Sequence, residues 1–500
     1  MRDLKELAGY DIITEEKIPE VNGTGYILSH KKTKARVLVI ANDDENKVFN
    51  IGFRTPPYDD SGIPHILEHS VLCGSRKYPV KDPFVELAKG SLNTFLNAMT
   101  YSDKTVYPIA SCNEKDFENL MDVYLDAVFY PNIYEHTEIM RQEGWHYELE
   151  TVEGELIYNG VVFNEMKGAF SSPEQQMYSK IEKLLLADTP YKNESGGDPA
   201  AIPTLSQERF LDFHRKYYHP SNSYIYLYGD LDMYKELDYI DKEYLSSFDY
   251  REIDSTIAVQ TAYEQMKDES CFYSIAENES EENQTFLTYN MVVGSSLDKK
   301  QSVAMNILEY AIMDAPGAPL KKALVDAGIG EDVFASFDDG IRQTIFSIVA
   351  RNANMSDKER FVSVIRDTLT DLSGHGEEGK AIDRTSIEAA INNFEFKHKE
   401  ANFGRFPKGL MMGLDAFNTW LYDDASALEM FKLNEVYDEL KESLKTGYFE
   451  ELIWEKLVQN TFGMIFVMKP KKGLDKENDA AEKQKLADYK ASLTENELEQ

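Results

Sequence analysis

The chain has 500 residues, 42% hydrophobic and 12% aromatic, with 53 Lys plus Arg against 88 Asp plus Glu and a formal charge of -35. That length exceeds what one hydrophobic core organises and predicts two domains with an appendage. The charge argues against nucleic acid and anionic membrane surfaces as partners, and no run approaches the roughly 18 apolar residues of a membrane span. The first residues, MRDLKELAGYDIITEEKIPE, lack the apolar core and cleavage site of a secretory signal. Cys73, Cys112 and Cys271 are widely spaced with no CxxC, which predicts reduced thiols and a cytoplasmic location.

In chain order, GYILSHKKTKARVLVIAND and KVFNIGFRT read as strands of an antiparallel hairpin around the polar turn Asp43 to Asn46. Helical periodicity follows at Pro64 to Leu72, in EKDFENLMDVYLDAVFY and in SQERFLDFHRKYYH, then a strand SYIYLYGD and a helix from near Asp232. After the polar stretch Asp254 to Glu269 a second unit repeats this order: CFYSIA and QTFLTYNMVVG, a helix around Gln301 to Met313, strands near Val333 and TIFSIVARNA, then long helices. The reading is α+β, two tandem related units of antiparallel sheet packed with helices, at 1–255 and 256–468. The remainder, 469–500, is rich in Lys, Glu and Ala and reads as a solvated helical linker, cut short of a downstream half.

The strongest chemical signal is DDSGIPHILEHSVLCGS, residues 59 to 75. Asp60 or Ser61 is placed to cap a helix with Pro64 in its first turn, where a missing N–H costs nothing. His65 and His69 are then i and i+4, one above the other on one face, close enough to chelate a single zinc ion. Glu68 borders that ion as a base able to take a proton from a zinc-activated water and return it to a leaving amine. The order H-x-x-E-H is the inverzincin motif. A catalytic zinc needs a third protein ligand. Glu165, after the apolar run in NGVVFNEMKGAF, can supply it, but on chemistry alone Glu148, Glu150, Glu174 and His146 are also admissible.

HILEHSVLCGS, KGSLNTFLNAMTYSDKTVYPIAS, GVVFNEMKGAF and SGGDPAAIPTLSQERFLDFHRKYYHPSN resemble the pitrilysin/insulinase zinc metallopeptidases, specifically the presequence-protease branch. The resemblance implies that Glu165, 96 residues after His69, is the third ligand. It also implies an exposed strand edge near Asn97 and Ala98 to which an extended peptide adds as a further strand, a mode in which backbone hydrogen bonds hold almost any sequence.

On this resemblance the chain is the N-terminal half of a zinc-dependent endopeptidase that hydrolyses unstructured oligopeptides in a closed chamber. The acidic balance favours basic peptides. The C-terminal half, or a partner chain, would supply an Arg and a Tyr at the site and complete the chamber. The second unit, with only His375 and His398, would be a noncatalytic wall. Competing expectations are a noncatalytic peptide-binding or scaffold half and a two-chain arrangement in the style of the processing peptidases.

Overall fold

A computed structural model describes residues 2–81, 83–377, 379 and 381–499. Two large sheets, each packed with helices, make an α+β molecule. The first sheet contains β1 (Tyr10–Ile18), β2 (Gly23–His30), β3 (Arg36–Ala41), β4 (Lys47–Arg54), β5 (Asn93–Leu96), β6 (Met99–Thr100) and β7 (Lys104–Ser111). A short ribbon of β8 (His146–Glu148) and β9 (Ile157–Asn159) follows, and β10 (Ser223–Gly229) returns to the first sheet. The second sheet contains β11 (Lys267–Ile275), β12 (Thr285–Ser295), β13 (Asp332–Asp338), β14 (Gln343–Ala353) and β15 (Gly463–Lys472).

The first sheet runs β1-β2-β3-β10-β4-β7-β5, with β6 beside β7, and the second runs β11-β15-β12-β14-β13. The path β3-β10-β4-β7-β5 and the whole second sheet share one pattern of directions. A parallel pair at one end (β3 with β10, β11 with β15) is followed by antiparallel pairs throughout. One expectation is corrected here. β3 and β4 do not form a hairpin around Asp43 to Asn46, because β10 lies between them, parallel to β3 and antiparallel to β4. Alternating strand patterns place segments in a sheet, but they do not say which later strand will slip between two sequence neighbours.

β10 illustrates why the first sheet is buried on both faces. Its Ile225 and Leu227 point to the core shared with helices Ile63–Val71, Glu114–Phe129, Gln207–Tyr217 and Met233–Glu243. Its Tyr224, Tyr226 and Tyr228 point the other way, as period-2 geometry requires. Those tyrosines are covered by Leu410, Phe417 and Trp420 of helix Lys408–Trp420, which comes from the second unit. The helix lies flat because Gly409 and Gly413 face the rings; a Cβ at Gly409 would sit 2.1 Å from Tyr228 and one at Gly413 2.3 Å from Tyr226.

The exchange is reciprocal. Helix Pro173–Leu185 of the first unit lays Met177, Ile181 and Leu185 on the outer face of the second sheet, against Phe286, Met464 and Phe466. A linear division near residue 255 therefore separates two sheets but not two sets of packing contacts. The reading of 469–500 also changes: Lys469–Lys472 end β15, and the helix that follows, Leu474–Ser492, is docked on the first unit through buried Leu486.

Candidate metal site

The helix Ile63–Val71 follows β4 and carries the H-x-x-E-H residues. Neither Asp60 nor Ser61 caps it, contrary to the sequence reading. The N-cap is Gly62 with φ 69°, without a side-chain cap. Its positive φ and close packing both call for glycine, since a Cβ there would lie 2.7 Å from Gly197 Cα and 2.8 Å from the Gly196 carbonyl. Asp60 instead accepts from the Glu194 N–H (2.7 Å) and pairs with Lys183 (2.6 Å), while its carbonyl accepts from the Asp198 N–H (2.8 Å). These bonds pin the loop around Gly196 to the helix start. Capping is given up for a close backbone approach that brings the Gly196 carbonyl to His65.

The ring nitrogens are sorted by their outer partners. His65 Nδ1 donates to the Gly196 carbonyl at 3.0 Å, leaving Nε2 facing inward, 3.8 Å from Glu165 Oε2. His69 Nδ1 lies 3.4 Å from Glu143 Oε2, and its Nε2 is 3.7 Å from Glu165 Oε2. The His65, His69 and Glu165 ligand atoms all lie within 4.8 Å of one another. Two imidazoles, each with its other nitrogen engaged, and one carboxylate fit the donor chemistry of a catalytic zinc site.

Glu165 reaches this point from helix Val161–Ala169. That helix begins at Gly160, where a Cβ would sit 2.2 Å from the Gly144 carbonyl. Gly144 directly follows Glu143, so the same backbone contact sets Glu165 and Glu143 on opposite sides of His69.

The alternative third ligands lie outside this cluster. Glu174 pairs with Arg351 at 2.8 Å, Glu148 accepts from Asn159, and His146 Nδ1 bonds the Arg141 carbonyl at 2.7 Å. Glu150 is exposed beside a turn. Glu143 was missed by sequence reasoning. Its only local signal is an acid in the short helix Glu138–Glu143 ahead of a glycine; what marks it is burial, 7% exposed, which follows from tertiary packing.

Burial raises the Glu68 carboxyl above its ordinary range despite the attraction of His65 and His69, as suits a proton acceptor in a recessed site. For His69, burial alone would lower the pKa, but the Glu143 hydrogen bond and the charges of Glu68, Glu143 and Glu165 raise it overall. Burial likewise opposes ionisation of Glu143, whose carboxyl is nonetheless held low by hydrogen bonds from His69 and Gln142.

Glu68 lies beside Thr100 of β6. Asn97 and Ala98 occupy the break between β5 and β6, on the edge of the first sheet. Asn97 is exposed, its N–H donates to the Pro108 carbonyl (3.4 Å) and its own carbonyl accepts from Tyr124 (3.2 Å); Ala98 is buried beneath. In the second unit His375 stacks on Trp454 at 4.1 Å and His398 packs against Tyr437, so neither joins a metal cluster among the described residues. None of Cys73, Cys112 and Cys271 is joined in a disulfide, and no helix among the described residues is long and apolar enough to cross a membrane.

Two family models match: "Insulinase (Peptidase family M16)" over residues 48–179 and "Peptidase M16 inactive domain" over residues 204–394. Protein HypA of Clostridium perfringens is 49% identical over 98% of this chain and 50% of its own length. Presequence protease 1, chloroplastic/mitochondrial, of Arabidopsis thaliana is 40% identical over 99% of this chain and 46% of its own length. The mitochondrial presequence protease of Xenopus laevis is 33% identical over 99% and 48%. The chain thus spans about half the length of these relatives. In fold it is similar to a Helicobacter pylori protease (TM-score 0.67, 16% identity, 90% of this chain and 100% of that one). It is likewise similar to pitrilysin (TM-score 0.62, 17% identity, 96% and 50%). The H-x-x-E-H helix lies inside the insulinase match, and the chain belongs to the pitrilysin/insulinase peptidase family, in its presequence-protease branch.

Proposed function

We propose that this chain is the metal-bearing half of a zinc-dependent endopeptidase that cuts unstructured oligopeptides. The observation that carries the reading is the convergence of His65 Nε2, His69 Nε2 and a Glu165 oxygen, with buried Glu68 on the same helix. The donor set and the carboxylate behind His69 fit one zinc ion with a position left for water or substrate. A zinc ion held there would supply Lewis-acid chemistry, acidifying a water and polarising the scissile carbonyl.

The chain's own residues do the rest. The Gly196 carbonyl and Glu143 hold the two imidazoles in the tautomer that turns a bare nitrogen inward. Glu68 accepts the proton of the attacking water and delivers it to the departing amine. An extended peptide adds along β5 and β6. Asn97, with its N–H on the Pro108 carbonyl and its own carbonyl on the Tyr124 hydroxyl, and Ala98 lie at the break between these strands, where the incoming backbone would pair. The second unit forms a noncatalytic wall. A completing half, in the same polypeptide or as a partner chain, closes a chamber that admits unfolded peptides, and the charge of -35 favours basic ones. We place this activity in the cytoplasm.

The test is cleavage of an unstructured basic peptide by the zinc-loaded protein together with its completing half, with Glu68 intact and with Glu68→Gln. Turnover is expected to fall by about 10²- to 10⁴-fold with zinc retained. Undiminished turnover removes Glu68 from the mechanism, and zinc binding without any cleavage by the unaltered protein favours a noncatalytic peptide-binding half.

A further inference from the structure

The ribbon of β8 and β9 has a particular place in the site. Glu143 and Gly144 lie just before β8, and Gly160 and the Glu165 helix lie just after β9, so one hairpin carries the His69 partner at one root and the third ligand at the other. A two-stranded ribbon is marginal on its own and needs something packed on it. Here that cover comes from outside the first unit: the helix Leu474–Ser492, which follows β15 of the second sheet.

The helix grips the hairpin along its length. Tyr489 stacks on Tyr147 with ring centroids 4.8 Å apart, and Tyr147 stacks at 5.5 Å on Tyr158, its cross-strand partner. Tyr158 in turn packs at 5.8 Å on Phe163, two residues before Glu165. At the hairpin tip Lys490 donates to the Gly154 carbonyl and Lys483 lies 3.6 Å from Glu155. Beyond the hairpin, Lys167 on the Glu165 helix lies 3.4 Å from Glu482 and 3.9 Å from Asp479. Leu486, 3% exposed, enters the same core as Leu156, Tyr158, Phe163 and Met166.

We propose that the Leu474–Ser492 helix is a brace for the metal site: through the ladder Tyr489, Tyr147, Tyr158 and Phe163 it holds the hairpin whose roots position Glu165 and Glu143, so Tyr489 is a positioning residue for metal affinity and geometry. The exposed ion pairs add little by themselves, since such pairs contribute at most about 1 kcal/mol each. The aromatic ladder is the stronger part, because each such ring pair prefers a defined offset or edge-on geometry and adds about 0.5–1.5 kcal/mol beyond the area it buries. This inference rests on the reading that His65, His69 and Glu165 hold the metal.

Its test uses zinc affinity, measured by competition with a chromophoric chelator, together with the visible spectrum of the cobalt-substituted protein. Tyr489→Ala is expected to weaken zinc binding by up to about 10-fold, the lower end of the effects seen for outer partners of metal ligands, and to change the cobalt bands. Tyr489→Phe keeps the stacking face and is expected to retain both the affinity and the spectrum of the unaltered chain. A Tyr489→Ala protein with unchanged circular dichroism, zinc affinity and cobalt spectrum overturns the brace. So does a loss of affinity equally present in Tyr489→Phe, because that would trace to the hydroxyl and not to stacking. Glu165→Gln separates this from failure of the underlying site: if it leaves zinc affinity unchanged, Glu165 is not a ligand, and the brace falls with the site reading.

Discussion

The helix after β4 and the helix after β12 occupy the same place in two sheets of the same strand path, and their residues have been put to opposite uses. Lys299–Glu309, after β12, is conventionally capped by Asp298, whose side chain accepts from the Gln301 N–H at 3.0 Å. It buries Val303, Ala304, Met305, Ile307 and Leu308 in the second core. Ile63–Val71, after β4, also buries Ile66, Leu67 and Val71, but gives up its cap for the Gly62 approach to Gly196 and reserves one face for His65, Glu68 and His69. The strand path sets where a site can be built, and a few local departures from good helix practice decide whether one is.

The comparison can be broken first at the level of the units themselves. If the two sheets were independent, damage to the second unit's helices would leave the first sheet intact. Trp420 belongs to the second unit's chain but is fully buried against Tyr224 of the first sheet, with ring centroids 5.1 Å apart. Trp420→Ala is expected to cost about 3–5 kcal/mol and to lower stability in a single denaturant transition. Two separated transitions, with the first unit unaffected, would show that the exchanged helices do not couple the sheets.

Glu143→Gln addresses the site alone. It keeps the shape of the side chain but removes the charge facing His69, and zinc affinity measured by chelator competition is expected to fall by about 10- to 100-fold with little change in folding.

The smallest effects compare the two helix starts directly. Asp298→Ala removes an ordinary cap and is expected to cost about 1 kcal/mol in denaturant unfolding, leaving zinc affinity as it was. Gly62→Ala places a Cβ at positive φ against the Gly197 backbone, which costs at least about 1–2 kcal/mol for the backbone conformation alone. Because the Gly196 carbonyl must move, it should also weaken zinc. If both substitutions act on stability only, the two helix starts are equivalent and the close approach has no role in holding His65.

How much of this could be read from residues alone follows from the range of each interaction. That His65, Glu68 and His69 share one helix, with the two histidines on one face, was legible because an i to i+4 spacing sets that geometry locally. Several strands and helices of both units, including CFYSIA, QTFLTYNMVVG and TIFSIVARNA, were legible by period, whereas β1, β15 and the helix Pro173–Leu185 were not read. Chemistry left Glu165 level with Glu148, Glu150, Glu174 and His146; in the structure Glu165 lies beside His65 and His69, while Glu174, Glu148 and His146 meet Arg351, Asn159 and the Arg141 carbonyl. Glu143 was hidden for the same reason. The insertion of β10 between β3 and β4, and the docking of Lys408–Trp420 on the first sheet, depend on which apolar surfaces meet, and an amphipathic pattern gives a face without naming its partner. Leu474–Ser492 read as solvated because most of its residues are; Leu486 and Tyr489, which dock it, are two apolar positions in a charged helix.

The account stands on His65, His69 and Glu165 holding one metal ion between them. The direct measurement is zinc bound per chain after dialysis, by elemental analysis, for the unaltered protein and for the paired variant His65→Ala with His69→Ala. The account predicts one zinc per chain in the first and none in the second, with circular dichroism unchanged. Equal zinc in both, or none in either, would contradict it.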